Sequence, residues 1–437
     1  MAFALTLRAY CGALDAYDAL AAAAERRPAA AATPAAAAAL ADAHARMQRA
    51  HAVLLPWLRG AWPNPLALRR AYAGRGIAVA AGSRQAAWVY THVRHLRRLG
   101  CALPVEVFYN GAADLDADAV ALLAREPGVS VLDLSRLVDA AAAALETWSM
   151  KAFTVLLSSF AEVILMDADA IFLRDPTLLF FEPPYARAGA LFYRDRLVVP
   201  QRHQRAWLEA VLPAPLSPAA RASRLYSGAG SHDAESGVAV YNKVKRFKGV
   251  LAAALLNSGA AKSYFYEHVY GDKETFWLAH EMVREPYAFA AHPAGILGPR
   301  PELRPGGPPG GDERVNAQPR HHACAEQIIH LAEDGAPLWL NAWLVTRDKG
   351  ALVDALRRGG GGGAAAAAPA WHPLQWWTTE PGDWYMDNGR SYNDGGLTCF
   401  AAPAESVPRR LSGDTLAALQ RIRDEFMALF PPPPPPR

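Results

Sequence analysis

The stretch EVILMDADAIFLRDP, residues 162–176, places two aspartates directly after a run of apolar residues. Such a short apolar run is typical of a buried strand. Ligands of open α/β sheets bind at the carboxyl ends of strands, which is where Asp167 and Asp169 fall. Alternate residues of a strand point to the same side, so both carboxylates can converge on one point. The stretch therefore predicts a strand of an α/β sheet with a binding site at its end.

Segments on both sides of this stretch alternate between strand and helix patterns. GIAVAA (residues 76–81), RQAAWVYTHVRHLRRLG (84–100) and PVEVFYNG (104–111) predict a strand, a helix and a strand. WSMKAFTVLLSSF, before the aspartates, predicts a helix, while GALFYRD and SGVAVYNK, after them, predict two more strands. Strand–helix–strand units of this length favour an α/β fold with a mainly parallel sheet covered by helices.

Composition divides the 437-residue chain into five predicted regions. Alanine dominates the beginning, where we expect weak order before about Leu40, and glycine or proline dominates two later segments. The predicted regions are an Ala-rich stalk and leading helix (1–59), the α/β domain (60–350), a Gly/Ala-rich linker (351–370), a Trp-rich C-terminal extension (371–430) and a polyproline tail (431–437).

Charge and cysteine usage argue against a nucleic-acid partner and against a zinc site. The 45 Lys+Arg residues nearly balance the 42 Asp+Glu and are scattered, so we expect no nucleic-acid partner. The four cysteines lie far apart without CxxC spacing, which argues against a zinc site. No apolar window reaches the roughly 18 residues of a membrane span. Membrane association would therefore need an anchor outside this sequence.

The paired carboxylates suggest a cation site. Like charges at one point repel each other unless a cation lies between them, and Mg²⁺ or Mn²⁺ prefers oxygen ligands. Such an ion could carry the oxygens of a departing nucleoside diphosphate. Two alternatives stay open: the aspartates could be turn or cap residues, or the motif could belong to a phosphotransferase of the haloacid dehalogenase type. In the latter the motif usually opens the domain, whereas here two strands and a helix precede it.

Six stretches together resemble one family. They are GRGIAVAAG, LRRLGCALPVEVFYNG, WSMKAFTVLLSSFAEVILMDADAIFLRDPTLLF, GALFYRD, ESGVAVYNK and YGDKETFWLA, in this order between residues 74 and 350. The chain resembles the Golgi-type α-mannosyltransferases of glycosyltransferase family 71, known from fungal mannan synthesis. The resemblance implies a GT-A-type, Rossmann-like fold with a mixed, mainly parallel sheet, a GDP-mannose donor, retention of the α configuration and a Mn²⁺ or Mg²⁺ ion.

The resemblance also implies roles on the donor side of the site. Asp167 and Asp169 match the family's metal and nucleotide motif. Trp148 and Lys151 match a W-x-x-K pattern that binds the donor, in which the lysine would meet the phosphates as a point charge. The alternative for Lys151 is a solvated helix face.

Four residues match the predicted reaction centre. Glu235 would orient an acceptor hydroxyl or stabilise an oxocarbenium-like sugar, unless it is only a turn residue before a strand. Gly237 would let the backbone approach the sugar. Asp272 would act in catalysis by binding donor sugar hydroxyls, although a helix N-cap is an equal alternative. Lys273 is a second candidate for the donor phosphates.

The third metal ligand departs from the pattern of many GT-A enzymes, which supply a histidine near the end of the domain. Asn341 occupies a matching place and could offer its amide oxygen, or His330 could serve instead. A histidine inside an apolar run is more often part of the core.

The resulting prediction is a metal-dependent, retaining α-mannosyltransferase with a glycan or glycoprotein acceptor, located in the Golgi lumen as a type II membrane protein. Two alternatives remain, the same fold with a UDP-sugar donor or a non-catalytic glycan-binding relative. The C-terminal tryptophans could form an acceptor platform, although packing against the core is the more common role of such clusters: Trp371, Trp376, Trp377 and Trp384.

Overall fold

The structure is a computed structural model. It describes residues 2–26, 33–58, 64–146, 148–196, 204–304, 320–324, 327–341, 344, 353–354, 375–378, 385–386, 399–403 and 407–430.

Strands and helices alternate through the middle of the chain, as the sequence patterns predict. The described strands are β1 (Arg75–Ala80), β2 (Val105–Tyr109), β3 (Val129–Asp133), β4 (Glu162–Met166), β5 (Ile171–Phe172), β6 (Ala190–Arg194), β7 (Ala234–Asn242), β8 (Ala288–Phe289), β9 (Gly295–Gly298), β10 (Glu302–Arg304), β11 (Arg320–Cys324), β12 (Ile328–Leu331), β13 (Pro337–Asn341), β14 (Trp376–Thr378), β15 (Tyr385–Met386), β16 (Cys399–Pro403) and β17 (Arg409–Arg410).

Most of the described helices are short and cover the sheets. They are α1 (Ala2–Glu25), α2 (Pro34–Leu54), α3 (Pro65–Ala71), α4 (Ala86–Arg98), α5 (Ala117–Leu123), α6 (Ala140–Ala143), α7 (Met150–Leu157), α8 (Pro183–Ala188), α9 (Arg205–Val211), α10 (Pro218–Ala222), α11 (Arg224–Ser227), α12 (Phe247–Leu256), α13 (Gly259–Tyr266), α14 (Thr275–Val283) and α15 (Gly413–Ala428), with 3₁₀ turns at Leu134–Arg136 and Pro176–Phe181.

The central sheet has seven strands in the order β3-β2-β1-β4-β7-β6-β8. The first four are parallel, β7 runs antiparallel to both β4 and β6, and β8 is parallel to β6. The predicted α/β class with a mixed, mainly parallel sheet is confirmed. Strands β1, β4 and β7 are buried along most of their length, which explains why they read as continuous apolar runs.

The strand order creates a crevice between β1 and β4. From β1 the chain moves outward through β2 to β3, and then returns to place β4 on the other side of β1. The connections on the two sides of this point leave in opposite directions, so their loops separate at the carboxyl ends of the strands. The candidate site lies there.

Beside the central sheet lies a six-stranded sheet in the order β17-β14-β9-β12-β13-β5. Its strand β5 follows directly after the aspartate pair, and β13 pairs with β5 through Leu340 and Ile171. This pairing brings the end of β13 to the carboxyl end of β4. Residues far apart in the sequence therefore meet at the crevice.

The N-terminal residues differ from the expected weakly ordered stalk. Helices α1 and α2 pack together, and α1 buries Leu7, Tyr10, Cys11 and Leu14 in the core that also contains α12 and α14. These four residues lie on one face of a helix, and the alanines around them lose little side-chain entropy on folding. The expectation of weak order was wrong because alanine bias masked this apolar stripe; the boundary at residue 59 stays a prediction.

The described part of the C-terminal extension joins the six-stranded sheet. Strand β14 pairs with β9, and Trp377 is buried in the core beneath it, while α15 packs on α4. For Trp377, packing is therefore the observed role. Trp371, Trp384 and nearly all of residues 351–370 lie outside the described residues, as does the polyproline tail. Among the helices that the structure describes, none combines the length and apolar character of a membrane span.

Candidate functional site

A cleft of about 690 Å³ opens at the carboxyl ends of β1, β2 and β4. Both members of the aspartate pair line it, together with backbone and side chains that follow β1 and β2. The lining includes Gly82, Asn110, Asp114, Trp148, Lys151, Asp167 and Asp169. The predicted binding site at the end of the strand therefore has room for a ligand of nucleotide size.

Asp167 is the first residue after β4. Its backbone N–H donates to the carbonyl of Gly237 at 2.8 Å, which fixes the end of β4 to β7. Burial raises the pKa of the Asp167 carboxyl to about 7; the ammonium of Lys151 opposes this effect and the Asp169 carboxylate adds to it. A carboxylate pair with this charge conflict is stabilised by a divalent cation, since a cation favours the ionised form of both groups.

Lys151 lies at the centre of the site and not on a solvated helix face. From the first turn of α7, its Nζ lies 2.7 Å from Asp167 Oδ1 and 3.5 Å from Asp272 Oδ2, and it donates to Ser236 Oγ at 3.1 Å. Burial disfavours the charge, but the Asp167 and Asp272 carboxylates outweigh it and raise the pKa of Lys151. The side chain is therefore held as a cation next to the aspartate pair.

Asp272 is buried on the far side of Lys151. The N-cap position of α14 is Glu274, and no side chain caps that helix. The Asp272 backbone carbonyl accepts from the N–H of Thr275 at 2.9 Å, whereas Oδ2 has no hydrogen-bond partner among the described residues. Burial raises the pKa of this carboxyl. The side chain is directed to Lys151 and not to the helix terminus.

Glu235 lies inside β7 and not in a surface turn, and it is 4% exposed. Its Oε1 accepts from Asn341 Nδ2 at 2.8 Å and from the N–H of Gly237 at 3.0 Å, while Oε2 accepts from Lys273 Nζ at 3.1 Å. Three donors from three segments of the chain thus fix one carboxylate. Such fixation favours a defined role at a reacting centre.

Lys273 has a second partner, Asp195, which the sequence analysis did not single out. Lys273 Nζ lies 2.7 Å from Asp195 Oδ2, and Arg196 donates its backbone N–H to the same carboxylate at 2.8 Å. Burial alone would raise the pKa of Asp195, but Lys273 and Arg196 hold it below its ordinary value. The sequence feature that could have identified Asp195 is its position directly after the strand segment GALFYR, since Asp167 follows its strand in the same way.

Gly237 allows a close approach to its backbone, and the approaching group is strand β13. A Cβ at this position would lie 2.8 Å from Asn341 Nδ2 and 3.0 Å from the Trp339 ring. The glycine therefore lets the end of β13 reach Glu235. Approach to a sugar at this position stays a prediction.

His330 lies in the core between the sheets. Its ring stacks on Trp339 with centroids 4.0 Å apart and packs edge-on against Tyr193. Within the part of the chain that the structure describes, neither ring nitrogen has a hydrogen-bond partner, and no group of three or more His, Cys, Asp and Glu residues could hold a metal ion. The structure therefore does not bring His330 together with the aspartate pair, and it directs the Asn341 amide nitrogen to Glu235.

The buried state of His330 gives a testable pH dependence. Burial lowers its pKa to about 4, so below the ordinary histidine pKa of 6.5 the unfolded chain binds a proton that the folded chain does not. The contribution is fully present above that value and is lost as pH falls toward 4. We expect His330→Phe to reduce the loss of unfolding free energy between pH 7.5 and pH 5.0 by about 2 kcal/mol.

Denaturant unfolding of both proteins at the two pH values measures this difference. Metal-dependent nucleotide binding by His330→Phe is the companion measurement and should equal wild type. Loss of metal-dependent binding with an unchanged pH dependence would make His330 a ligand after all.

Trp148 lies at the rim of the cleft. Its side chain is half exposed, and its ring centroid lies 5.8 Å from that of Tyr270. The structure thus places the whole W-x-x-K pattern at the cleft, with the lysine inside and the tryptophan at the edge. Whether the indole contacts the donor stays a prediction.

Comparison with known families shows that the region around this cleft matches a family model. The family model described as "Mannosyltransferase putative" matches residues 74–332. The alpha-1,3-mannosyltransferase MNT3 of Saccharomyces cerevisiae is 26% identical over 276 residues, which is 56% of this chain and 42% of that protein. The alpha-1,2-mannosyltransferase MNN26 of Candida albicans is 25% identical over 52% of this chain and 34% of that protein. The chain thus spans less than half the length of these relatives.

Two solved glycosyltransferase structures align with part of the chain. The mannosyltransferase Ktr4p of S. cerevisiae aligns with a TM-score of 0.34 and 10% identity over 54% of this chain and 71% of that one. The galactosyltransferase LgtC, in complex with donor and acceptor sugar analogues, aligns with a TM-score of 0.33 and 13% identity over 49% of this chain and 73% of that one.

Proposed function

Because the chain belongs to the mannosyltransferase family whose model spans residues 74–332, we propose that it is a metal-dependent, retaining α-mannosyltransferase that uses GDP-mannose. Its acceptor would be a glycan or glycoprotein. The relatives named alpha-1,3- and alpha-1,2-mannosyltransferases support mannose as the transferred sugar. A position in the Golgi lumen follows from the same kinship and is part of the proposal.

One observation carries this proposal. Asp167 and Asp169 follow a buried strand at the point where the strand order reverses, and both line the cleft. A diphosphate bound there would meet the carboxylate pair only through a cation, since direct contact between anions is unfavourable. Oxygen ligands of this kind fit Mn²⁺ or Mg²⁺, and Asp167 and Asp169 would hold the ion.

A bound divalent ion would supply Lewis-acid stabilisation of the negative charge on the leaving nucleoside diphosphate. Lys151 would position Asp167 for this task through its two short contacts with that carboxylate. Because Lys151 remains charged, it would also attract the donor phosphates. Asp272, across from Lys151, would accept hydrogen bonds from hydroxyls of the donor sugar.

Glu235 would act on the transferred sugar. Lys273, Asn341 and the N–H of Gly237 hold its carboxylate in one orientation, so little reorganisation is needed when positive charge develops on the sugar. An ionised carboxylate so placed would stabilise an oxocarbenium-like sugar or orient the acceptor hydroxyl. Both roles require the charge that Glu235→Gln removes.

A panel of nucleotide sugars tests the proposal, each incubated with Mn²⁺ and with EDTA and followed by release of the nucleoside diphosphate. We expect metal-dependent turnover of GDP-mannose alone. Turnover of a UDP-sugar would retain the enzyme class and overturn the donor. If no nucleotide sugar is turned over or bound in a metal-dependent way, the chain is a non-catalytic relative.

A further inference from the structure

An exposed aromatic pair lies beside the cleft: Trp148, for which the family resemblance implies donor binding, and Tyr270, which has no role in the site described above. Trp148 and Tyr270 are 51% and 60% exposed. Their ring centroids lie 5.8 Å apart at an interplanar angle of 38°. The two rings together form one apolar surface at the mouth of a polar site, and we call this pair the aromatic rim.

Neighbouring backbone and side chains support both rings of the rim. Gly271 has a φ of +62°, and a Cβ there would lie 3.1 Å from the Trp148 ring. The backbone turn therefore favours a glycine, and a Cβ at this position would crowd the indole that lies against it. On the other side, the His232 ring packs edge-on against Tyr270 with centroids 5.7 Å apart. Each ring is thus supported on one side and open to solvent on another.

Both rings of the rim are close in sequence to residues that are proposed to meet the donor. Trp148 precedes Lys151 by three residues, and Tyr270 precedes Asp272 by two. Lys151 and Asp272 face each other at 3.5 Å, so the two short segments bring both rings next to the proposed sugar position. Trp148 lines the same cleft as Gly82 and Asp114, which follow β1 and β2. Through Trp148 the rim therefore borders the cleft in which the sugar would be transferred.

We propose that the aromatic rim is an acceptor subsite that stacks on a pyranose ring of the glycan acceptor. One face of a pyranose presents C–H groups, and these pack favourably on the electron-rich face of an aromatic ring. The two adjacent exposed rings present an apolar surface against which one sugar ring can pack, while its hydroxyls remain in water. This inference rests on the proposed function, and it moves the predicted acceptor platform from the C-terminal tryptophans to the cleft mouth.

Tyr270→Ala tests the rim. With GDP-mannose as donor and methyl α-mannoside as acceptor, we expect the acceptor KM to rise about five- to tenfold and the donor KM to change less than about twofold. Tyr270→Phe retains the ring and should resemble wild type. Tyr264→Ala is the matched control, since Tyr264 is 43% exposed on the preceding helix and its ring packs on His268, away from Trp148.

Two results would overturn the inference. An unchanged acceptor KM in Tyr270→Ala would show that the ring does not contact the acceptor, and a rise in donor KM alone would assign the rim to the nucleotide. If wild type transfers no sugar, the proposed function fails, and saturation-transfer NMR with methyl α-mannoside then tests the rim by itself. A signal that Tyr270→Ala loses and Tyr264→Ala retains would support the subsite; equal signals, or none in wild type, would reject it.

Discussion

Asp169→Asn is expected to abolish metal-dependent sugar transfer while the melting temperature stays unchanged or rises. The substitution removes one of the two proposed oxygen ligands, and a loss of at least about a thousandfold in kcat/KM corresponds to roughly 4 kcal/mol of transition-state stabilisation. It also removes a like charge from the neighbourhood of Asp167, whose raised pKa reflects burial and the Asp169 charge. Relief of that repulsion favours the folded state.

Initial rates with Mn²⁺ and thermal unfolding of the same protein sample measure both effects. Asp118→Asn is a suitable control, since Asp118 is exposed in the first turn of α5 and lies outside the cleft. A large fall in melting temperature for Asp169→Asn, with activity lost in proportion, would instead make the aspartate pair a structural feature.

Glu235→Gln is expected to lower kcat by about a hundred- to ten-thousandfold, the range typical of a lost catalytic carboxylate. Donor affinity should change little, because the glutamine oxygen can still accept from Asn341 and from the N–H of Gly237. Both the negative charge next to Lys273 and the hydrogen bond that Oε2 accepts from Lys273 are lost, since the amide nitrogen in its place is a donor. Separate measurement of kcat and of the dissociation constant for GDP-mannose distinguishes these effects.

Glu274→Gln provides the matched control for Glu235→Gln. Glu274 is also buried, and it accepts from the N–H of Asp233 at 2.8 Å and from the indole of Trp277. Burial and the nearby Asp233 raise the pKa of Glu274 to about 8, so glutamine changes its charge little at neutral pH, while one accepted hydrogen bond is lost, as in Glu235→Gln. We expect kcat close to wild type. If Glu235→Gln also retains wild-type kcat and affinity, Glu235 has no role in the reaction.

Local patterns were sufficient to predict the strand before the aspartates and the sheet around it. The continuous apolar run before Asp167 predicts a buried strand because both faces of β4 are covered. The same logic failed for the N-terminal residues, where alanine bias concealed the stripe formed by Leu7, Tyr10 and Leu14. It also missed Asp195, although that residue follows a strand segment in the same way as Asp167.

Roles that depend on contacts between distant segments could not be read from the sequence. Glu235 was predicted as a candidate, but its fixation by Asn341 joins residues 106 positions apart, through the pairing of β13 with β5. The core position of His330 likewise depends on Trp339 of the neighbouring strand. Neither contact can be predicted from the local spacing of apolar residues, because each joins residues of different strands.

The sequence by itself determined the class of fold, the position of the carboxylate pair and the family, since each depends on residues that are neighbours in the chain. Tertiary structure alone decided which charges meet: Lys151 with Asp167 and Asp272, and Lys273 with Asp195 and Glu235. The physical reason is that electrostatic contacts depend on distance in space and on burial, and strand order sets both.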